Sequence, residues 1–95
     1  MVLDVTLENM DYKISRAVYQ RDGWHCRHCN NSNGLDPHHV IFASQGGSET
    51  LDNLISLCRR CHDDIHGGRL RVEIVEVIPG RDIIVKFWKQ KGWKP

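Results

Sequence analysis

No stretch of this sequence approaches the roughly 20 apolar residues that a membrane-spanning helix requires, so no membrane partner is expected. It also lacks internal repeats, low-complexity tracts and linkers long enough to divide it, which excludes solenoids, disordered arms and a two-domain layout. The opening MVLDVTLENM holds Asp4 and Glu8 with no basic residue, so a secretory signal is not expected either. Charge of one sign is missing from each end. The first eleven residues carry Asp4, Glu8 and Asp11 without a base, whereas the closing KFWKQKGWKP carries Lys86, Lys89, Lys91 and Lys94 without an acid. That basic end is either a solvated terminus or a phosphate contact that would make binding salt-dependent.

What is present is a small chain with a metal-site spacing. Ninety-five residues suit a single domain, residues 1–95, and a core that small supplies only a few kcal/mol of net stability without a staple. Cys26, Cys29, Cys58 and Cys61 form two C-x-x-C pairs. This is the spacing of a zinc knuckle rather than of a disulfide scaffold, and in a reducing compartment tetrahedral structural zinc is the reading to prefer over disulfides.

The coarse organisation is α+β. NMDYKISRAVYQRD reads as a helix capped by Asn9 or Asp11, with Ile14, Ala17 and Val18 at helical spacing and Gly23 ending it. WHCRHCNNSNGL is a tight turn closing on an Asn-Gly signal. LDPHHVIF, residues 35–42, reads as a strand, ASQGGSETLDN as a returning polar loop, LISLC as a buried strand and RRCHDDIH as a helix stopped by Gly67 and Gly68. RVEIVEV and DIIVKFW then pair across IPGR as a hairpin with Pro79 and Gly80 at its turn.

Histidines occupy conspicuous places on that map. His38 and His39 are adjacent in a strand, where successive side chains leave on opposite faces, so unlike roles are expected of them. His62 and His66 stand four apart on one helix face, either as an ordinary surface pair or as joint ligands of one ion. His62 directly follows Cys61, so a zinc knuckle would fix this helix against the histidine strand. Binding worth on the order of 10 kcal/mol is enough to act as that clamp.

With CRHC upstream and CRRCH at the helix start, the pattern His39-x13-Asn53-x8-His62 resembles the HNH endonucleases. These are ββα-metal nucleases, here of the subgroup in which two C-x-x-C pairs bind zinc. The resemblance covers about residues 16–66, which the residues 69–95 hairpin and basic tail follow. It implies an α+β fold with a ββα-metal core clamped by a four-cysteine zinc site, an N-terminal helix and a C-terminal β-hairpin. It implies His39 as general base, His38 and His62 as ligands of a catalytic divalent metal, and His66 as the additional helical ligand known from the colicins. Asn53 would brace the loop and orient the base. The implied activity is metal-dependent hydrolysis of DNA phosphodiesters, by nicking or double-strand cleavage, leaving 5′-phosphate and 3′-hydroxyl ends.

The chemistry suits those residues. A neutral imidazole can take a proton from water near neutral pH, and a bound cation can stabilise charge on the leaving oxygen. Many HNH enzymes have aspartate where this chain has His38. A histidine-rich site tilts the catalytic metal from magnesium toward zinc, nickel, cobalt or manganese. Asp36 is either an ordinary turn acid or an outer-shell partner of the site.

Other residues receive plainer readings. His25 and His28 read as exposed spacers, and Trp24 and Trp88 as core or hairpin packing. Arg59 and Arg60 are phosphate contacts or surface charge; Lys89, Lys91 and Trp93 are the remaining candidates for nucleic-acid contact. Compact phage HNH proteins are of this size, which makes a bacterial or phage-infected cytoplasm the expected setting, with a homodimer or phage packaging proteins as conceivable partners. The contrasting reading is a non-catalytic zinc module binding nucleic acid or protein. It accounts for the cysteines and leaves His38, His39, Asn53 and His62 without a purpose.

Overall fold

A computed structural model describes residues 12–90 of the chain. The expected caps Asn9 and Asp11, and Lys91, Trp93 and Lys94 of the tail, lie outside the described residues. The order of elements is α1 (Tyr12–Arg21), β1 (Leu35–His39), a single 3-10 turn (Ala43–Gln45), β2 (Leu54–Cys58), α2 (Arg59–His66), β3 (Leu70–Ile78) and β4 (Asp82–Lys89). Two antiparallel pairs result, β1 with β2 and β3 with β4. The sequence β1-β2-α2 is the ββα unit.

Helix α1 buries Val18 completely and ends in a Schellman motif. The Gly23 N–H donates to Gln20 O at 3.2 Å and the Trp24 N–H to Tyr19 O at 2.8 Å, with Gly23 at φ 69°. Trp24, expected as core packing, is instead 50% exposed. As the residue just past the cap it leans on Tyr19, ring centroids 5.3 Å apart, which is the apolar contact this motif favours.

Strand β2 is buried at every position, consistent with its unbroken LISLC run between α1 on one side and the hairpin on the other. Pro37 of β1 faces Ser56, whose N–H goes to the Asp22 carboxylate at 2.8 Å, so the missing donor of the proline leaves no ladder bond unmade. β1 stops at His39 rather than running to residue 42. The cause is Asn53: its backbone O accepts from Val40 N–H, and its side-chain Oδ1 accepts from Ile41 N–H at 2.8 Å. Its Nδ2 donates to Ile41 O and Ser48 O, both at 3.0 Å, bending the chain into the 3-10 turn. Gly47 closes this loop where a side chain would collide with the Ile41 carbonyl.

The hairpin is pinned to the cysteine turn by Arg27. Its backbone N–H donates to Ser56 O, while its guanidinium reaches Asp22 at 2.8 Å, Asp82 at 3.2 Å and Ile83 O at 2.7 Å. Ile55, Leu57, Leu70 and Ile83 form the core together with Cys26, Cys58 and Cys61, so the cysteine cluster sits at the centre of the packing.

Candidate metal centres

The first centre is made by the turn after α1 and the junction of β2 with α2. All four cysteines are free, and their sulfurs lie within 4.8 Å of one another, with Cys29 Sγ and Cys58 Sγ at 3.6 Å. A tetrahedron of thiolates at a zinc–sulfur distance of about 2.3 Å has sulfurs about 3.8 Å apart, so the donor set fits that ion. Asn30, at φ 69°, closes the turn, which points the N–H groups of His28 and Cys29 at Cys26 Sγ at 3.4 and 3.5 Å. Burial would raise the Cys26 thiol; the N–H groups of Cys29, Cys58 and His28 outweigh it and bring it down to about 7. Burial and the neighbouring sulfurs, Cys58 first and then Cys26, push Cys61 well above its ordinary value. Four crowded sulfurs of which only some ionise readily are a set whose mutual repulsion a dication relieves.

His28, read from sequence as an exposed spacer, is exposed yet engaged. Its Nδ1 lies 3.4 Å from Cys61 Sγ and its ring 4.8 Å from Phe87 of β4. His25 is exposed.

The second centre lies between β1 and α2. His38 from β1 and His62 and His66 from α2 bring three ring nitrogens within 4.8 Å of one another. The helix supplies two of them because residues four apart share a face, and the strand supplies the third from across the ββα interface. His38 is only 2% exposed. Its Nε2 and the Nδ1 of His62 are buried without a hydrogen-bond partner among the described residues. Buried polar atoms without partners are costly, and a cation held between these nitrogens would satisfy them, so the set fits a divalent metal. Burial first, and then the neighbouring imidazoles His62, His66 and His39, brings His38 down to about 4. Burial and His66 likewise lower His62, against an opposing pull from Asp36. Both rings are therefore neutral near pH 7, the form that ligates.

A cleft of about 340 Å³ opens over these rings, lined by Pro37, His38, His39, Phe42, Ser44, His62 and His66, among others. Phe42 stacks parallel to His66 with an offset, at 5.3 Å and 6°, and meets His38 edge-on at 6.0 Å, so one ring packs against two of the three imidazoles. His39 borders the same cleft without joining the three-nitrogen cluster. Its Nε2 is buried without a hydrogen bond, 3.7 Å from Glu49 Oε2. Asn53 does not line the cleft; it is 3% exposed, and among the described residues its side chain bonds to the loop that follows β1.

The remaining predicted residues are spread around these centres. Asp36 does not enter the cluster; its carboxylate pairs with Arg59 at 3.4 Å. Arg59 also reaches toward Asp63 at 4.0 Å, which leaves its charge locally balanced. Arg60 is exposed on α2 and Lys89 is exposed at the end of β4. Trp88 lies on the hairpin as expected, with Arg71 and Lys86 over its ring at 5.9 and 5.5 Å. Phe42 and Glu49 escaped sequence reasoning. Phe42 was hidden in the supposed continuation of the strand, and Glu49 in a polar loop where no periodicity singles out one residue.

The sequence profile of the HNH endonuclease family matches residues 26–68. The chain is 31% identical over 77 residues to the type IV methyl-directed restriction enzyme EcoKMcrA of Escherichia coli (strain K12), an alignment covering 72% of this chain and 28% of that protein. It is 33% identical over 63 residues to Anaredoxin of a Nostoc species, covering 65% of this chain and 83% of that protein. The matched span opens on the first clustered cysteine and closes just past the second helical histidine, taking in both centres, and the chain belongs to the HNH endonuclease family.

Proposed function

We propose that this protein is a metal-dependent DNA endonuclease and that all 95 residues serve one HNH domain. The observation that supports this most is the convergence of three imidazoles, two of them with a buried nitrogen that has no hydrogen-bond partner, beside a fourth that stays outside their cluster. His38, His62 and His66 would hold the catalytic ion, and Cys26, Cys29, Cys58 and Cys61 the structural zinc. When bound, a divalent cation supplies polarisation of the scissile phosphate and neutralises charge on the departing 3′-oxygen. His39 takes the proton of the attacking water at its ring nitrogen. Asn53 keeps the segment after His39 in register, so that the imidazole stays at the edge of the cleft while its neighbour His38 points inward. With no carboxylate among the cleft-lining residues, the site favours zinc, nickel, cobalt or manganese over magnesium.

The test is cleavage of supercoiled plasmid across magnesium, manganese, nickel, cobalt and zinc, each with and without chelator, beside His39→Ala. Metal-dependent relaxation or linearisation by wild type, lowered at least about a hundred-fold in the variant, is expected. Inactivity in every metal, or equal activity of His39→Ala, refutes the reading. In that event a non-catalytic zinc module is the better account. The likeness to Anaredoxin, most of whose length this chain covers, keeps a role other than cleavage as the second reading.

A further inference from the structure

Beyond the cleft over the histidines lies a second groove, of about 450 Å³, between the end of α2 and the hairpin. The two share Phe42 and His66 as a common wall, so the groove is the direct continuation of the cleft. Its lining lies partly outside the span matched by the family profile, because Leu70, Arg71, Val72 and Gln90 come from the hairpin. Arg71 is the single Lys or Arg among the lining residues of either depression.

Its surroundings set it apart from the arginines that are ion-paired. Arg21 and Arg27 are ion-paired with Asp22 and Asp82, Arg59 with Asp36, and Arg69 with Asp64. Arg71 is held instead by a neutral acceptor: its Nη1 donates to Gln90 Oε1 at 3.0 Å, and its guanidinium carbon lies 5.9 Å from the centre of the Trp88 ring. No carboxylate pairs with it among the described residues. Gln90 is fixed in turn by its N–H bond to Arg69 O at 3.1 Å. An amide and an aromatic face orient the guanidinium without neutralising it, leaving a preorganised cation with donors to spare at the side of a groove. Such a group suits a phosphodiester oxygen, and the apolar floor of Val40, Ile65 and Val72 suits the sugar edge beside it.

We infer that this groove carries the DNA strand away from the scissile phosphate, and that Arg71, held by Gln90 and Trp88, binds a backbone phosphate of a flanking nucleotide. The inference rests on the nuclease reading and extends it to residues that take no part in the chemistry.

The test is fluorescence anisotropy of a labelled DNA duplex with the zinc-loaded full chain and no added catalytic metal, titrated across salt concentrations. Arg71→Ala is expected to weaken binding about ten-fold at low salt and to lower the slope of log K against log salt by about one. Gln90→Glu should do the same while keeping the arginine, because the new carboxylate neutralises it. Arg71→Lys should retain most of the salt slope. Arg81→Ala, an equal loss of charge at the exposed hairpin turn, should leave the slope unchanged. Zinc content and circular dichroism report folding of each variant, and Gln90→Glu carries the test should Arg71→Ala fail to fold. An Arg71→Ala effect no larger than that of Arg81→Ala, an unchanged Gln90→Glu, or absence of DNA binding by wild type overturns the inference. Plasmid cleavage run alongside separates it from the reading beneath it. Cleavage with an unaltered salt slope removes the groove alone, whereas Arg71-dependent binding without cleavage in any metal removes the hydrolytic reading alone.

Discussion

Asp22 illustrates how much of this fold hangs on single side chains. Its side chain is 1% exposed and accepts from Arg21 at 2.7 Å, Arg27 at 2.8 Å and Ser56 N–H at 2.8 Å, joining α1, β2 and the cysteine turn. Burial alone would raise its carboxyl; those donors outweigh the burial and hold it below the ordinary carboxylate value. A carboxyl lowered in the folded state contributes stability that is fully present above the unfolded value near 3.8 and is lost as pH falls through the folded one. Asp22→Asn is therefore expected to be less stable than wild type by about 3–5 kcal/mol at pH 7, with the gap narrowing below pH 4, as read from denaturant melts across pH. Its burial was not legible in the sequence: Arg21 is its chain neighbour, but Arg27 and the Ser56 N–H reach it only once the cysteine turn and β2 pack against α1.

At the scale of elements, what could be read locally was read to the residue. LISLC and RRCHDDIH appear as β2 and α2 with the predicted bounds, because a fully apolar pentamer and a double-glycine stop are encoded within a few positions. β1 was misjudged at its end because the competing donors and acceptors belong to Asn53, a dozen residues away. Trp24 was misjudged because an aromatic after a C-terminal glycine packs on its own helix as readily as in a core. Asn53 also yields a prediction. Asn53→Ala removes three side-chain hydrogen bonds to residues 41 and 48, which should cost about 2–4 kcal/mol and speed amide exchange over residues 40–48 more than in α2. Uniform acceleration across the chain would mean that the asparagine supports the whole fold rather than this loop.

For the molecule as a whole, the cysteine cluster, once loaded with the proposed zinc, would do what a larger apolar core otherwise does. Cys26, Cys58 and Cys61 stand among the core side chains, so an ion held by them would lie where α1's trailing turn, β2, α2 and the hairpin meet. Zinc binding on the order of 10 kcal/mol matches or exceeds the total stability usual for so small a domain. Stripping the proposed zinc with a strong chelator, or replacing Cys58 by serine, should therefore abolish cooperative unfolding and the near-ultraviolet dichroism of the aromatic side chains, not merely lower the melting temperature. Both C-x-x-C pairs and the histidine order were legible because ligand spacing is local. The groove at Arg71 was not, since it exists only when the hairpin folds back beside α2.

The proposed division of labour between His38 as ligand and His39 as base is the central claim. Calorimetric titration of nickel into the zinc-loaded protein tests it directly, comparing wild type with His38→Ala and His39→Ala. One nickel site of equal affinity in wild type and His39→Ala, weakened at least about a hundred-fold in His38→Ala, is the predicted result. Loss of nickel binding in His39→Ala, or full affinity in His38→Ala, would contradict it.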